Sequence, residues 1–157
     1  MIKRNTLLIP LVLIGAGGIK RWKEKEMNKD LIFKYAKDVS LNACTLTKFS
    51  VGAALVTADN KIYTGCNIEN AGIQSICAER VAFVKALSNG EREFKEIYVV
   101  GKGENDKCFI ETLPCGYCRQ FMKSYVNDDF KIYTLDEETG KVCEYTLGEL
   151  LPKSFDL

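Results

Sequence analysis

The chain has 157 residues, with 22 Lys and Arg against 21 Asp and Glu and a net charge of +1. This length predicts one domain with a core large enough to fold without disulfides, and the near-zero charge argues against a nucleic-acid or polyanion partner. The chain has no histidine, which excludes Ser-His-Asp and Cys-His catalysis within it and leaves cysteine to hold any transition metal.

The first 26 residues differ in character from the rest of the chain. Lys3 and Arg4 precede an apolar run at 7–14 and small residues at 15–18, a pattern that resembles a signal peptide. The run is shorter than the roughly 20 apolar residues of a transmembrane helix. We interpret residues 1–26 as an extension outside a domain that spans 27–157. The alternative is a real anchor or export segment, and without one we expect no membrane association.

Helical and strand-like patterns alternate along the rest of the chain. In chain order they predict a helix at 28–44, a hairpin of strands at 50–57 and 61–66, a loop at 67–76, a helix at 77–88, a strand at 96–100, a polar loop at 101–113, a helix at 115–127, strands at 131–134 and 142–145, and a helical turn at 147–151. This order is typical of an α/β domain whose mixed sheet is covered by helices.

Three cysteines and one glutamate carry most of the chemical information. They lie in the segments CAER at 77–80 and PCGYC at 114–118. Cys77 and Cys115 each stand at the predicted start of a helix, where free N–H groups favour a thiolate. Three protein ligands, Cys118 being the third, leave one position of a tetrahedral zinc open, as in catalytic sites. Glu79 is then placed to move protons for a water molecule, which matches the Cys₃ form of the zinc nucleobase deaminase signature.

Two other interpretations of these cysteines remain open. A fourth cysteine would make a closed structural zinc site, and CxxC alone also suits a redox pair, although a redox pair leaves Cys77 and Glu79 unexplained. Arg80 and Arg119 are candidates to offset the negative charge of three thiolates. The other four cysteines are expected to be small buried hydrophobic residues in a reducing cytosol; they are Cys44, Cys66, Cys108 and Cys143.

From residue 27 to about residue 155 the sequence resembles the small, zinc-dependent, homotetrameric cytidine deaminases. Further motifs that carry the resemblance are FSVGAA at 49–54, GCNIENA at 65–71, PCGYCRQ at 114–120 and GELLP at 148–152. The resemblance implies a three-layer α-β-α fold with a mixed central sheet and one Zn²⁺ per subunit. It also implies a cytoplasmic homotetramer of pyrimidine salvage that hydrolyses cytidine and deoxycytidine to uridine and deoxyuridine with release of ammonia.

The resemblance also implies a role for each site residue. Glu79 would carry protons between water and the base. The side chains around the zinc ligands would hold those ligands in place. The zinc ligands would be Cys77, Cys115 and Cys118, the supporting residues Arg80, Arg119 and Gln120, and the substrate-binding residues Phe49, Asn67, Glu69, the backbone of Ala78, and Phe155 from a neighbouring subunit.

The sequence departs from the family pattern at two places near the expected pocket. Residues 44–48 read CTLTK where the family commonly has Pro-Tyr-Ser, and the loop at 72–76 is about one residue shorter than usual. The residues of the chain also disfavour three alternative functions. A deaminase of another aminopyrimidine such as blasticidin S is disfavoured by Asn67-x-Glu69, a catalytically silent zinc domain by Glu79, and a deaminase of nucleic acid by the near-neutral charge.

Overall fold

A computed structural model describes residues 27–72 and 74–155. The predicted extension 1–26 lies outside the described residues, as do Ile73 of the loop at 72–76 and residues 156–157. In chain order the elements are α1 (Lys29–Ser40), β1 (Phe49–Thr57), β2 (Ile62–Cys66), α2 (Ala78–Ser88), β3 (Phe94–Gly103), α3 (Gly116–Lys123), β4 (Lys131–Asp136), β5 (Lys141–Thr146) and α4 (Leu147–Leu150).

The strands form one mixed sheet in the order β2-β1-β3-β4-β5. β3 and β4 are parallel, and the other neighbouring strands are antiparallel. A parallel pair needs a crossover connection, and α3 lies in the connection between β3 and β4. The predicted α/β class with a mixed sheet is therefore confirmed, and so is the hairpin of β1 and β2.

Side chains of β1 alternate between two hydrophobic cores on opposite faces of the sheet. Ala53 and Leu55 belong to the core that contains Phe83 of α2 and Met122 of α3. Ala54 and Val56 belong to the core that contains α1. This period of two is what a strand covered on both faces requires. The result is three layers, with α1 on one side of the sheet and the two cysteine-bearing helices on the other.

Three predicted boundaries were wrong because tertiary contacts set them. α1 ends at Ser40 rather than at 44, since the Cys44 N–H leaves the helix and donates to the Asn67 carbonyl at 3.1 Å. β3 continues to Gly103, where a loop was predicted, because β1 pairs along its length and places Phe49 opposite Gly103. α3 stops at Lys123 rather than at 127, and the Ser124 N–H turns back to the Phe121 carbonyl.

The four remaining cysteines do not share one environment. Cys66 and Cys143 are buried, as predicted, but Cys44 is exposed and Cys108 is only partly buried. Both exceptions lie outside the helices and strands, in connections where the neighbouring apolar residues gave no reliable sign of burial. Over the described ranges, the helices are too short and too polar to cross a membrane.

Candidate functional site

The starts of α2 and α3 bring three cysteine side chains together. Cys77 is the N-cap of α2, Cys115 is the N-cap of α3, and Cys118 lies one turn into α3. Their Sγ atoms all lie within 4.8 Å of one another, and the Sγ atoms of Cys77 and Cys115 are 3.8 Å apart. Two thiolates on one tetrahedral zinc, each bound at about 2.3 Å, lie about 3.8 Å apart. The donor set and its spacing therefore fit zinc.

The electrostatics of this cluster favour negative charge on the Cys77 sulfur. Hydrogen bonding from Cys118, and then from Arg80, lowers the pKa of Cys77 to about 5, while the shared hydrogen bond and burial raise the pKa of Cys118. The Arg80 Nη2 lies 3.8 Å from the Cys77 Sγ and donates to the Ser75 carbonyl at 3.0 Å. The Arg80 guanidinium also lies over the ring of Tyr117, 4.4 Å from its centroid. This arginine is fixed against the cluster.

Arg119 and Gln120 brace the backbone around the cluster. Arg119 Nε donates to the Pro114 carbonyl at 2.7 Å and its Nη1 donates to the Leu150 carbonyl at 2.8 Å, so its hydrogen bonds go to carbonyls and not to a sulfur. Gln120 Nε2 donates to the Phe155 carbonyl at 3.1 Å. These bonds join the loop before Cys115, the helix α3 and the C-terminal segment into one unit.

Glu79 is a buried carboxylate beside the sulfur cluster. It lies in the first turn of α2 and is 3% exposed. Burial raises its pKa to about 7, and the charge on Cys77 acts in the same direction. The periodicity of α2 offers no reason for an acid among Ala78, Ala82 and Phe83, because a charged side chain in a core is destabilising unless it is used or paired.

A cavity of about 220 Å³ opens onto this carboxylate. It is lined by Thr47, Phe49, Val51, Asn67, Glu69, Ser75, Ile76, Cys77, Glu79, Thr112, Leu113 and Cys115. It therefore unites six of the predicted site residues. Cys118 and Ala78 are fully buried behind it. Phe155 does not line it and is 60% exposed.

Asn67 and Glu69 are held in place by the chain itself. Asn67 Oδ1 accepts from the Val51 N–H at 2.8 Å, and its Nδ2 donates to the Phe49 carbonyl at 2.9 Å. Glu69 accepts from two N–H groups and one hydroxyl of the segment 44–48. The N–H of Thr47 contributes most to a lowered pKa of Glu69, so this carboxylate is ionised at neutral pH.

Sequence reasoning missed several residues of the cavity wall. Thr112 and Leu113 lie in the polar loop predicted at 101–113, and no periodic pattern distinguishes them. Thr47 and Ser75 lie in the two segments that depart from the family pattern, and those departures are the available signs. The sequence also gives no sign of the close packing of Thr112 and Phe49 against Gly101. A Cβ atom on Gly101 would lie 2.4 Å from the Thr112 Oγ1 and 2.8 Å from the Phe49 Cε1, so only glycine fits behind this wall.

Zinc sites with three protein ligands and an adjacent carboxylate serve hydrolysis rather than structure. The fold and the cluster thus define a metal-dependent hydrolytic enzyme. Residues 26–134 match the family described as the cytidine and deoxycytidylate deaminase zinc-binding region. The chain belongs to this family, as its motifs predicted.

Individual relatives agree with this assignment. A cytidine deaminase of Sporosarcina psychrophila is 44% identical over 110 residues, which cover 69% of this chain and 76% of that protein. A crystal structure of cytidine deaminase from Burkholderia pseudomallei matches with a TM-score of 0.72 and 36% identity, covering 82% of this chain and 100% of that one. A blasticidin-S deaminase of Bacillus cereus is 35% identical over 112 residues, 69% of this chain and 78% of that protein.

Proposed function

We propose that this enzyme hydrolyses cytidine and deoxycytidine to uridine and deoxyuridine and releases ammonia. The observation that carries the proposal is the position of Glu79, a buried carboxylate that lines the same cavity as Cys77 and Cys115. A carboxylate beside a metal-binding cluster, in a cavity large enough for a ring, fits the addition of water to an aminopyrimidine. The cytidine deaminases among the relatives support this choice of substrate.

The chemistry divides between the metal cluster and Glu79. Bound zinc would supply the Lewis acid that makes water nucleophilic at neutral pH. Glu79 takes one proton from the attacking water and delivers it to N3 of the base, while the water oxygen bonds to C4. Glu79 then carries the second proton to N4, the C4–N4 bond breaks, and N4 leaves as ammonia with the bonding electron pair. The water oxygen remains as the C4 carbonyl of the product.

We assign the metal to Cys77, Cys115 and Cys118, with one zinc per subunit. Three Sγ atoms within 4.8 Å of one another support this assignment. Arg80 offsets the excess negative charge through its approach to the Cys77 sulfur. Arg119 and Gln120 act indirectly, because they fix the loop and the helix that present Cys115 and Cys118.

We propose that the residues lining the rest of the cavity bind the nucleoside. The ring of Phe49 flanks the base, and Asn67 and Glu69 face the sugar, whose hydroxyl groups both donate and accept hydrogen bonds. Ala78 directly precedes Glu79 and is fully buried in this subunit. We assign it a backbone hydrogen bond to the edge of the base on the strength of the family resemblance.

An ammonia-release assay tests the function. Purified enzyme of known zinc content is given cytidine, deoxycytidine, cytosine and blasticidin S in parallel. We expect turnover of the two nucleosides, and loss of about 10²–10⁴-fold in kcat for Glu79→Gln with zinc retained, because Gln cannot shuttle a proton. Glu93→Gln, at an exposed carboxylate, is the matched control and keeps full activity. A Glu79→Gln enzyme that retains more than about a tenth of the rate contradicts the mechanism.

Blasticidin S is the alternative substrate, since the Bacillus cereus relative is named as its deaminase. Asn67-x-Glu69 favours a nucleoside with a hydroxylated sugar, and the same assay decides between them. Faster turnover of blasticidin S than of cytidine would reverse the assignment of substrate. It would leave the assignment of the metal and of Glu79 unchanged.

We further propose a homotetramer in which Phe155 of one subunit closes the cavity of its neighbour. Gln120 holds the Phe155 backbone while leaving its ring 60% exposed, and the ring lies outside the cavity of its own subunit. Several other large apolar side chains are also exposed, among them Leu41, Leu46, Val84 and Tyr117. Exposed apolar surface of this kind is typical of subunit contacts.

Residues 1–26 are proposed to take no part in catalysis, because residues 27–155 already contain the metal cluster, Glu79 and the cavity. We also propose a cytoplasmic location and a role in pyrimidine salvage. None of the seven cysteines of the chain forms a disulfide in the structure, which suits a reducing compartment.

A further inference from the structure

A contact between Arg80 and Tyr117 joins the starts of the two cysteine-bearing helices. Arg80 lies in the first turn of α2, three residues after Cys77, and Tyr117 lies in α3 between Cys115 and Cys118. The Arg80 Cζ is 4.4 Å from the centroid of the Tyr117 ring. A guanidinium this close to the face of an aromatic ring is attracted by the ring quadrupole. The contact therefore links the helix that presents one sulfur to the helix that presents the other two.

Hydrogen bonds alone do not fix the plane of the Arg80 guanidinium. Its Nη2 donates to the Ser75 carbonyl at 3.0 Å and lies 3.8 Å from the Cys77 Sγ, so one nitrogen serves both partners. Its Nε is buried and has no hydrogen-bond partner among the described residues. An arginine loses much rotamer freedom when it is held in one position. A flat ring against the guanidinium restricts the orientation that a single bonded nitrogen leaves open.

The Tyr117 ring lies at the surface and belongs to neither hydrophobic core of the described residues. The ring is part of a residue that is 66% exposed in the subunit. Further along the same two helices, Phe83 of α2 packs edge-on against Phe121 of α3, with ring centroids 6.2 Å apart. This apolar contact does not involve Tyr117. Loss of the Tyr117 ring should therefore free Arg80 without separating α2 from α3.

We propose that Tyr117 is a positioning residue, which holds Arg80 against the Cys77 sulfur and thereby strengthens the binding of zinc. The inference rests on the proposed zinc ligands and extends their support to a residue that acts through Arg80. Three thiolates and one Zn²⁺ carry a net negative charge, and Arg80 offsets that charge only while its guanidinium stays beside the sulfur. Groups that fix the surroundings of metal ligands typically contribute about 10- to 100-fold to metal affinity or activity.

A role for Tyr117 in subunit contacts alone makes a different prediction. If the ring only packs against a neighbouring subunit, its loss should alter zinc binding to the same extent whatever residue stands at position 80. If the ring acts through Arg80, its loss should matter only while Arg80 is present. A double-mutant cycle on these two residues separates the two roles, because it measures their coupling directly.

The test is the zinc Kd of Tyr117→Leu, measured by competition with a chelator of known zinc affinity. We expect Kd to rise about 3- to 10-fold, the size of one cation–π contact, and Tyr117→Phe, which keeps the ring, to stay within about twofold of the wild type. Arg80→Met should weaken zinc binding at least as much as Tyr117→Leu, and adding Tyr117→Leu to it should change Kd less than about twofold. Tyr35→Leu is the matched control, since Tyr35 is a partly exposed tyrosine of α1, on the other side of the sheet.

The measurement needs no nucleoside, so a failure of the proposed deamination leaves it standing. The inference is overturned if Tyr117→Leu holds zinc as tightly as the wild type, or if Tyr117→Phe weakens zinc as much as Tyr117→Leu does. It is also overturned if Tyr117→Leu has the same effect with and without Arg80, and a change of subunit number by light scattering would then assign the ring to the assembly. If Arg80→Met does not fold, the contrast between Tyr117→Phe and Tyr117→Leu decides. A wild-type protein that binds no zinc refutes the ligand assignment itself.

Discussion

Gly101→Ala should distort the cavity from behind its wall. Gly101 lies in β3, and its backbone runs against two residues of the cavity, Thr112 and Phe49. A Cβ at this position would lie 2.4 Å from the Thr112 Oγ1 and 2.8 Å from both the Thr112 Cγ2 and the Phe49 Cε1. Real Cβ atoms do not approach heavy atoms this closely, so either side chain must move into the cavity or the strand must shift.

The size of the effect follows from the crowding. Forcing an extra carbon into a packed site typically destabilises a protein by about 1–3 kcal/mol, which for a domain of this size lowers Tm by roughly 3–12 °C. Since Phe49 is assigned to flank the base, we expect KM for cytidine to rise at least about fivefold. The zinc content should not change, because the atoms that a Cβ on Gly101 would crowd belong to Thr112 and Phe49 and not to a cysteine.

Two further variants make the reasoning falsifiable. Thr112→Ala removes the two closest Thr112 atoms, so adding it to Gly101→Ala should recover part of the lost Tm and KM. Gly116→Ala is the matched control, since a Cβ there meets nothing within 4 Å. Thermal unfolding and steady-state kinetics on the four proteins suffice. A Gly101→Ala enzyme with the Tm and KM of the wild type would refute the packing argument.

Four other outcomes are expected. Cys115→Ala should lose zinc, and full retention by metal analysis would remove it from the ligand set. A chain that starts at Met27 should turn over cytidine as the full chain does, and a folded but inactive truncation would give the extension a role in the site. Glu137→Gln should lower the unfolding free energy by about 1 kcal/mol at neutral pH, because Glu137 pairs with Lys37 and accepts from the Phe109 N–H. Burial opposes ionisation of Glu137, but these partners outweigh it and hold its pKa below the ordinary 4.5, so the difference between the two proteins should vanish as pH falls from above 4.5 through the folded pKa. Phe155→Ala should raise KM while kcat is kept, and light scattering should give a tetramer, so a fully active monomer would contradict the assembly.

The sequence predicted the order of elements because each carries its own local signal. The apolar runs in 50–57 and 77–88 depend only on neighbouring residues, and both segments proved to be the elements expected. Two members of the sulfur cluster could also be predicted from the sequence, because the CxxC spacing places Cys115 and Cys118 on one helical turn. What brings Cys77 to them is the packing of α2 and α3 on the same face of the sheet, which the local pattern does not show.

The parts that could not be predicted depend on contacts between distant segments. Nothing near Cys44 indicates that its N–H pairs with Asn67, 23 residues further on, so the end of α1 was misplaced. The same holds for Glu69, whose carboxylate accepts hydrogen bonds from Leu46 and Thr47, more than 20 residues earlier in the chain. Sequence patterns can predict which residues a site contains. They do not predict which of those residues are hydrogen-bonded to one another.

The hydrogen bonds within the pocket affect how it would bind a sugar. Asn67 and Glu69 look in the sequence like free groups waiting for a sugar, yet the structure commits most of their hydrogen bonds to the chain. Groups that are fixed before the ligand arrives lose little freedom on binding, which favours affinity. Asn67 and Glu69 would therefore meet a sugar in the geometry that their hydrogen bonds to residues 46–51 already impose.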